Sequence, residues 1–171
     1  MAPTSAPPPR RTGPQARVPL LLLILAAAAL VYRLATGIAD RGAAETGAGL
    51  VTWRPMISAP RAASATATPV LYDFTAAWCP PCRRLDSEGW NDITIARRVN
   101  IEFVPVRVMD RQREDGRNVP AIDALQRKYR ITSFPTLIAA DASGSELARM
   151  EGYPGKDRLE AFLNEVRKKT K

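Results

Sequence analysis

From Pro69 to its C-terminus, this 171-residue chain alternates short apolar runs, rich in β-branched and aromatic residues, with segments of helical periodicity. Such runs are typical of strands, and we predict strands at residues 70–75, 101–109, 134–140 and 146–152. The helical spacing predicts helices that start at Cys79–Pro80 and that cover residues 91–99, 119–129 and 156–168. Strands that alternate with helices build a sheet with helices packed on it, so the predicted fold class is α/β.

Single residues predict where these helices end and which faces they bury. Gly89 is expected to interrupt the helix that starts at Cys79, and Asn91 or Asp92 is a capping candidate for the next helix. Apolar spacing predicts the buried faces of the last two helices, which are Ile122, Leu125 and Tyr129, followed by Leu159, Phe162, Leu163 and Val166.

The folded domain is predicted to cover residues 50–171. Leu50, Val51 and Trp53 favour a strand at its start. Small residues dominate two flanking stretches: residues 40–49 are interpreted as a linker, and residues 58–69 as either a loop or a short weak helix.

The N-terminal region has the pattern of an export signal. Residues 1–17 are rich in Pro, Ala and Arg and are predicted to be disordered, while residues 18–32 form an uncharged apolar run. Continued through residues 18–39, this run is long enough for a single-pass signal anchor, and cleavage as a signal peptide is the alternative. The arginines that precede the run predict a cytoplasmic N-terminus, which places the domain in the periplasm, anchored to a bacterial inner membrane or released from it.

The chain carries a formal net charge of +8, which raises the question of a nucleic-acid partner. About half of the N-terminal excess is explained by membrane topology, and no aromatic–basic stripe or nucleic-acid motif accompanies the charge. We therefore expect no nucleic-acid partner, and a solvated basic surface that lies near anionic lipid headgroups.

The chain has two cysteines, Cys79 and Cys82, and no histidine. Zinc and iron–sulfur sites need about four soft or imidazole ligands, so we expect no metal and no cofactor. Covalent haem attachment needs a histidine where Arg83 stands, and a Cys–His dyad has no base here. A purely structural bridge would close a very small loop and stabilise little, which leaves thiol–disulfide redox chemistry.

The position of the cysteines assigns them different roles. Cys79 would lie at the N-terminus of a helix, where unpaired amides and the helix dipole stabilise a thiolate, so it is the expected nucleophile. Pro80 and Pro81 remove two of those amides and leave those of Cys82 and Arg83, with the charges of Arg83 and Arg84 nearby. Cys82, one turn inward, is the expected resolving thiol.

The order of elements, with Trp-Cys-x-x-Cys at the first strand-to-helix junction and Phe-Pro-Thr before the later hairpin, resembles the thioredoxin superfamily over residues 50–170. Trp78, Cys79, Pro81 and Cys82 match its active-site motif, and the segment from Cys82 to Val99 looks most like the C-terminal domain of DsbD-type thiol:disulfide interchange proteins. The resemblance implies a thioredoxin fold, with a central mixed β-sheet flanked by helices and a redox disulfide between Cys79 and Cys82.

The same resemblance implies roles for residues away from the cysteines. Asp73 falls where the family keeps a buried carboxylate, which would accept the proton of Cys82; the alternative is an ordinary strand-end carboxylate. Pro135 matches the family's cis-proline, whereas a proline near a strand is more commonly an edge or turn residue. The family often has a lysine near the carboxylate, and here the counterpart is Arg107 or nothing.

Expected substrate contacts are Trp78, Phe134, Pro80 and Pro81. Trp78 is either a lid beside Cys79 or a core aromatic, and Phe134 is either a substrate contact or simple packing.

These observations predict a protein-disulfide reductase that acts on protein thiols and disulfides in the periplasm, supplied by a membrane or soluble thiol electron donor. Strong oxidants of the superfamily tend to carry a histidine between the cysteines, and Pro80–Pro81 stands there instead. A thiol oxidase or isomerase is the alternative, and a redox-inert binding or chaperone module is a third. Related anchored thioredoxins also prepare apocytochrome thiols for cytochrome c biogenesis.

Overall fold

The computed structural model describes residues 49–170 and the isolated residue Ala28. Its elements are α1 (Ala59–Thr66), β1 (Val70–Ala76), α2 (Pro80–Leu85), a π-helical turn (Asp86–Trp90), α3 (Ile93–Glu102), β2 (Val104–Asp110), α4 (Gln112–Asp115), α5 (Pro120–Lys128), β3 (Thr136–Ala140), β4 (Glu146–Glu151) and α6 (Lys156–Lys169). The predicted disordered lead, the signal anchor and most of the linker lie outside the described residues. Within the described part, no helix has the length and apolar character to cross a bilayer.

The four strands form one mixed sheet in the order β2-β1-β3-β4. β1 runs parallel to β2 and antiparallel to β3, and β3 pairs antiparallel with β4. All seven residues of β1 are buried, as expected for a central strand covered on both faces. The sheet and its flanking helices confirm the α/β class with a central mixed sheet.

Successive residues of β1 point to opposite faces of the sheet and enter two separate cores. Val70, Tyr72 and Phe74 pack in the core that includes Ala59 and Ala63 of α1. Leu71 packs on the other face, in a core to which α3 and α6 contribute Ile95, Ala96, Val99, Leu159, Phe162, Leu163 and Val166. The alternation places Asp73 on the Leu71 face.

The predicted strand at Leu50–Trp53 is wrong. Val51 and Trp53 are buried, but the segment has no ladder and is held by Asn100 of α3, which accepts from the Thr52 amide (2.8 Å) and donates to the Leu50 carbonyl (2.9 Å). The Arg54 amide donates to the Pro105 carbonyl at 2.7 Å. Pro55 and Pro105 both lack an N–H, so the pairing cannot continue.

Two other boundaries differ from prediction. Residues 101 and 102 belong to α3 rather than to the following strand, because Ile101 lies on the exposed face of the helix and β2 begins only at Val104. The predicted interruption at Gly89 lies one residue later: the π-helical turn contains Gly89 and ends at Trp90, and α3 begins at Ile93. A Cβ at Gly89 would lie 2.8 Å from Leu159 Cδ2, so glycine allows α6 to pack closely here.

The other helix predictions are confirmed. Asp92 caps α3, accepting hydrogen bonds from the amides of Thr94 (2.9 Å) and Ile95 (3.0 Å). The stretch 58–69 contains a helix, α1. The four apolar residues predicted for the last helix are fully buried on α6, and Tyr129 is buried directly after α5, where Ile122 and Leu125 are partly buried.

Candidate active site

The two cysteines lie at the junction of β1 and α2 and form a disulfide, with their Cα atoms 5.3 Å apart. Cys79 is the N-cap of α2, and its Sγ accepts a hydrogen bond from the Cys82 amide at 3.2 Å. Both cysteines are buried and pack with Ala76, the last residue of β1. The strand thus fixes the depth of the pair, and the helix cap fixes the direction of the Cys79 sulfur.

In the disulfide form, one helix-terminal amide contacts the Cys79 sulfur. The Arg83 amide donates to the Cys79 carbonyl at 3.3 Å, so the Cys82 amide is the one helix-terminal N–H bonded to Sγ. The Arg83 guanidinium donates to the Ala77 carbonyl at 3.1 Å. The Arg84 guanidinium pairs with Glu88 at 3.3 Å and lies over the Tyr153 ring.

The loop before β3 lies against the disulfide. The Phe134–Pro135 peptide bond is cis, the isomer that the family resemblance implies. The Phe134 side chain packs against the cluster of Ala76, Cys79 and Cys82, and Pro135 is buried. Phe134 is therefore the large apolar side chain that covers the cysteine pair.

Trp78 is a surface residue and not a core aromatic, which decides between the two alternatives for its location. It is 41% exposed, meets Phe134 edge-to-face with ring centroids 6.0 Å apart, and has the Arg113 guanidinium 4.8 Å from its ring centroid. Pro80 and Pro81 are exposed as well. These side chains form the outer face of the site, and their contact with substrate stays a prediction.

Asp73 lies on β1, three residues before Ala76, and is 1% exposed. Its Oδ2 accepts hydrogen bonds from Trp90 Nε1 at 3.0 Å and from Arg107 Nε and Nη2 at 3.3 Å each. Its Oδ1 has no hydrogen-bond partner among the described residues. Burial raises the pKa of Asp73 to about 6, against the opposing effects of the Arg107 charge and the Trp90 hydrogen bond.

Arg107 takes the place near the carboxylate for which the sequence offered "Arg107 or nothing". Strand register sets it opposite Asp73, and its guanidinium also bonds Asp86 of the π-helical turn. The guanidinium carbon lies 4.4 Å from the centroid of the Trp53 ring. The buried carboxylate is therefore part of a chain of ion pairs, Asp73–Arg107–Asp86, that ends at the surface.

Sequence reasoning did not identify Trp90, Asp86 or Arg113 as parts of the site. Asp86 lies four residues after Cys82, one helical turn on, and this spacing was the available signal for it. Trp90 follows the glycine of the π-helical turn. Arg113 reaches Trp78 from a charged loop that carries no motif, so no local pattern indicated it.

The arrangement has the parts that thiol–disulfide exchange needs. A Cys79–Cys82 pair can interconvert between dithiol and disulfide, and burial raises the pKa of Asp73 to about 6, the range that suits a general base. The exposed aromatic and proline residues border the cysteines on the solvent side. Oxidoreductase chemistry at protein thiols is the reaction class that these groups support.

Comparison with known proteins agrees with this chemistry. The model of the thioredoxin-like domain family matches residues 57–167. A thioredoxin of Alicyclobacillus acidocaldarius is 34% identical over 104 residues, which cover 57% of this chain and 81% of that protein. The thiol:disulfide interchange protein DsbD of Pectobacterium atrosepticum is 24% identical over 127 residues, which cover 71% of this chain. The chain spans only 21% of the length of that DsbD.

Among solved structures, the C-terminal domain of Neisseria meningitidis DsbD in the oxidised form superposes with a TM-score of 0.52 at 22% identity, covering 63% of this chain and 89% of that domain. At this identity the likeness supports the fold. The family match and the Cys79–Cys82 pair extend it to chemistry: the chain belongs to the thioredoxin-like domain family, and its cysteine pair indicates a thiol:disulfide oxidoreductase.

Proposed function

We propose that this protein reduces disulfide bonds of exported protein partners by dithiol–disulfide exchange at Cys79 and Cys82. The observation that carries the proposal is the buried Cys79–Cys82 pair at the start of α2. Cys79 Sγ accepts a hydrogen bond from the Cys82 amide, and Asp73, whose pKa is raised by burial, lies on the strand that precedes the pair. The likeness to thioredoxins and to DsbD supports protein thiols or disulfides as the substrate class.

In the first step, the Cys79 thiolate of the reduced protein attacks one sulfur of the partner's disulfide. A bond forms between Cys79 Sγ and that sulfur, the partner's S–S bond breaks, and the second partner sulfur leaves as a thiolate that takes a proton from water. We expect the exposed Trp78, Pro80 and Pro81, with Phe134, to contact the partner's chain near its cystine; their exposure and the Trp78–Phe134 contact beside the cysteines support this.

In the second step, the Cys82 thiol transfers its proton to Asp73 and attacks Cys79 Sγ. The intramolecular disulfide forms, the mixed disulfide breaks, and the remaining partner sulfur leaves as a thiolate. Two electrons have then passed from the cysteine pair to the partner. Ionised Asp73 is the base of this step, and its unpaired Oδ1 is the oxygen free to take the proton.

The direction of exchange follows from how well the site stabilises the Cys79 thiolate. A strong oxidant of this kind is oxidising because its reduced, thiolate form is stabilised. Here Pro80 and Pro81 carry no N–H, the Arg83 amide is bonded elsewhere, and Arg84 is paired with Glu88. The small number of helix-terminal amides available to a Cys79 thiolate favours the disulfide form of Cys79 and Cys82, and so favours electron donation to partners, whereas the Arg83 and Arg113 charges near Trp78 act in the opposite sense.

The proposed export of the domain and its proposed electron donor are supported by the sequence alone. The apolar run within residues 18–39 and its preceding arginines support a single-pass anchor, with the domain on the periplasmic side. A membrane or soluble thiol donor would return two electrons to the disulfide after each cycle. Protease accessibility of the full chain in spheroplasts tests the topology, since protection from added protease would place the domain in the cytoplasm.

Reduction of insulin disulfides by the full chain, with dithiothreitol as donor, tests the reaction. Cys79→Ser should abolish turnover, whereas Cys82→Ser should form a trapped mixed disulfide through Cys79 that is detected by mass spectrometry. A trapped adduct through Cys82 in Cys79→Ser would reverse the assigned roles. Activity in cells that survives Cys79→Ser would favour a redox-inert binding module instead.

A further inference from the structure

Arg113 is the side chain that brings the loop after β2 to the active site. It lies in α4, and its guanidinium carbon is 4.8 Å from the centroid of the exposed Trp78 ring, within the range of a cation–π contact. Trp78 immediately precedes Cys79 and meets Phe134, which covers the disulfide. The Arg113 charge thus contacts the residue that immediately precedes Cys79.

A buried polar network at its base holds this loop in place. Asp110 Oδ2 accepts hydrogen bonds from Asn118 Nδ2 and Gln126 Nε2, both at 2.8 Å. Asn118 Oδ1 accepts from the Arg111 amide at 2.6 Å, which closes the loop between its two ends. Asp110 and Asn118 are both buried, so the loop that carries Arg113 has a defined conformation.

A second guanidinium, that of Arg83, is bonded next to Trp78 in the chain. Arg83 Nη1 donates to the carbonyl of Ala77, the residue before Trp78. Neither Arg83 nor Arg113 forms an ion pair with a carboxylate among residues 49–170, and Glu114 pairs with neither of them. Nearby arginines differ: Arg84 pairs with Glu88, and Arg111 with Asp115.

We propose that Arg83 and Arg113 form a cationic rim around Trp78 that selects partner proteins whose disulfide is flanked by Asp or Glu. The inference rests on the proposed reductase function and specifies its substrate. The rim has two unpaired positive charges and an aromatic platform next to Cys79. A carboxylate one or two residues from the partner's cystine meets these charges as the sulfurs approach, which accelerates productive encounter and fixes the register of the partner chain.

Three peptides of one sequence, each closed by the same disulfide, test the proposal. They carry Asp, Ser or Lys on both sides of one cysteine, and the second-order rate of their reduction by the pre-reduced full chain is measured. For rim charges of this kind we expect the Asp peptide to react about three- to tenfold faster than the Ser peptide, and the Lys peptide to react more slowly. In about 0.5 M salt the three rates should converge, because exposed charges are screened.

Substitutions at Arg113 and at a control position test whether the charge selectivity comes from the rim. In Arg113→Glu the ratio of the Asp to the Ser rate should fall to one or below, and Arg113→Lys should keep a ratio above one because its charge remains. Arg97→Glu, an exposed site in the middle of α3, changes net charge equally and should leave all three rates unchanged.

Several outcomes would overturn the proposal. Equal reduction of all three peptides by the unaltered protein would remove the charge selection while leaving the reductase in place. An equal slowing of all three in Arg113→Glu would show that Arg113 acts only by supporting Trp78. Failure to reduce even the Ser peptide would remove the proposed reductase function, and the selectivity with it.

Discussion

Arg107 lies directly opposite Asp73 on the neighbouring parallel strand and donates two hydrogen bonds of 3.3 Å to its carboxylate. Asp73 is 1% exposed, so its charge depends on this partner and on the Trp90 indole for compensation. Compensation is incomplete, and the pKa of Asp73 stays raised, at about 6. If Asp73 is the base that we propose, this raised pKa connects folding stability with the resolving step.

Asp73→Asn should remove a pH dependence from folding. Because burial raises the folded-state pKa of Asp73 from 3.8 to about 6, the folded protein binds this proton more tightly than the unfolded chain. Asp73 therefore opposes folding increasingly as the pH rises from about 4 to about 6, by at most about 3 kcal/mol, and constantly above that range.

Urea unfolding between pH 4 and pH 8 measures this difference. The free energy of unfolding of the unaltered protein should fall relative to that of Asp73→Asn as the pH rises through this window. Parallel pH profiles for the two proteins would show that the carboxyl does not titrate differently on folding.

Arg107→Met should move the pH dependence of partner release upward. The Arg107 charge lowers the pKa of Asp73, so its removal raises that pKa further and leaves less of the base ionised at neutral pH. We expect the midpoint for resolution of a preformed Cys79 mixed disulfide to rise by about one pH unit. Arg107→Lys, which keeps a charge, should shift it less; an unchanged midpoint in both variants would separate Asp73 from the resolving step.

Phe134→Ala should uncover the disulfide. The Phe134 ring packs against Cys79 and Cys82 and meets Trp78 edge-to-face, so its loss opens a path for small thiols. We expect reduction of the disulfide by dithiothreitol to accelerate about threefold, in line with the size of an aromatic pair contact. Phe134→Leu retains an apolar cover and should stay close to the unaltered rate. A slower reaction in Phe134→Ala would mean that the ring positions the sulfurs rather than shields them.

Trp90→Phe should destabilise the fold, whereas Trp78→Phe should not. Trp90 is buried, donates to Asp73 and meets Trp53 edge-to-face with centroids 5.6 Å apart. Losing this donor beside a buried carboxylate should lower the free energy of unfolding by about 2–3 kcal/mol. The exposed Trp78 serves as the control, with a change within about 0.5 kcal/mol. Equal effects at the two positions in chemical denaturation would contradict the assigned burial.

Much of the fold was predictable because the apolar pattern within one strand or one helix is enough to identify that element. β1 was predicted from its short apolar run, and α6 from the helical spacing of four apolar residues: Leu159, Phe162, Leu163 and Val166. Both elements are present in the structure. The N-terminal segment was mispredicted because Val51 and Trp53 are buried without strand pairing. Burial alone has the same apolar signature as a strand, and the prolines that prevent pairing lie at Pro55 and in another strand, at Pro105.

The site also contains residues that the sequence predicts and contacts that it does not. Cys79, Cys82, Asp73 and Pro135 were indicated by a motif and by their places in the chain order. The Asp73–Arg107 pair depends on the register between β1 and β2, which sequence periodicity does not fix to one residue. The contact between Arg113 and Trp78 joins the short helix α4 to the loop between β1 and α2, and only the three-dimensional structure brings the two together.

The reduction potential of the Cys79–Cys82 pair tests the central claim most directly. The full chain is equilibrated with dithiothreitol or glutathione buffers, and the fraction of disulfide is measured after alkylation of free thiols. For a protein that donates electrons to partner disulfides, we predict a reduction potential close to that of thioredoxin, about −270 mV. A value near about −120 mV would identify an oxidant and contradict the proposed direction of exchange.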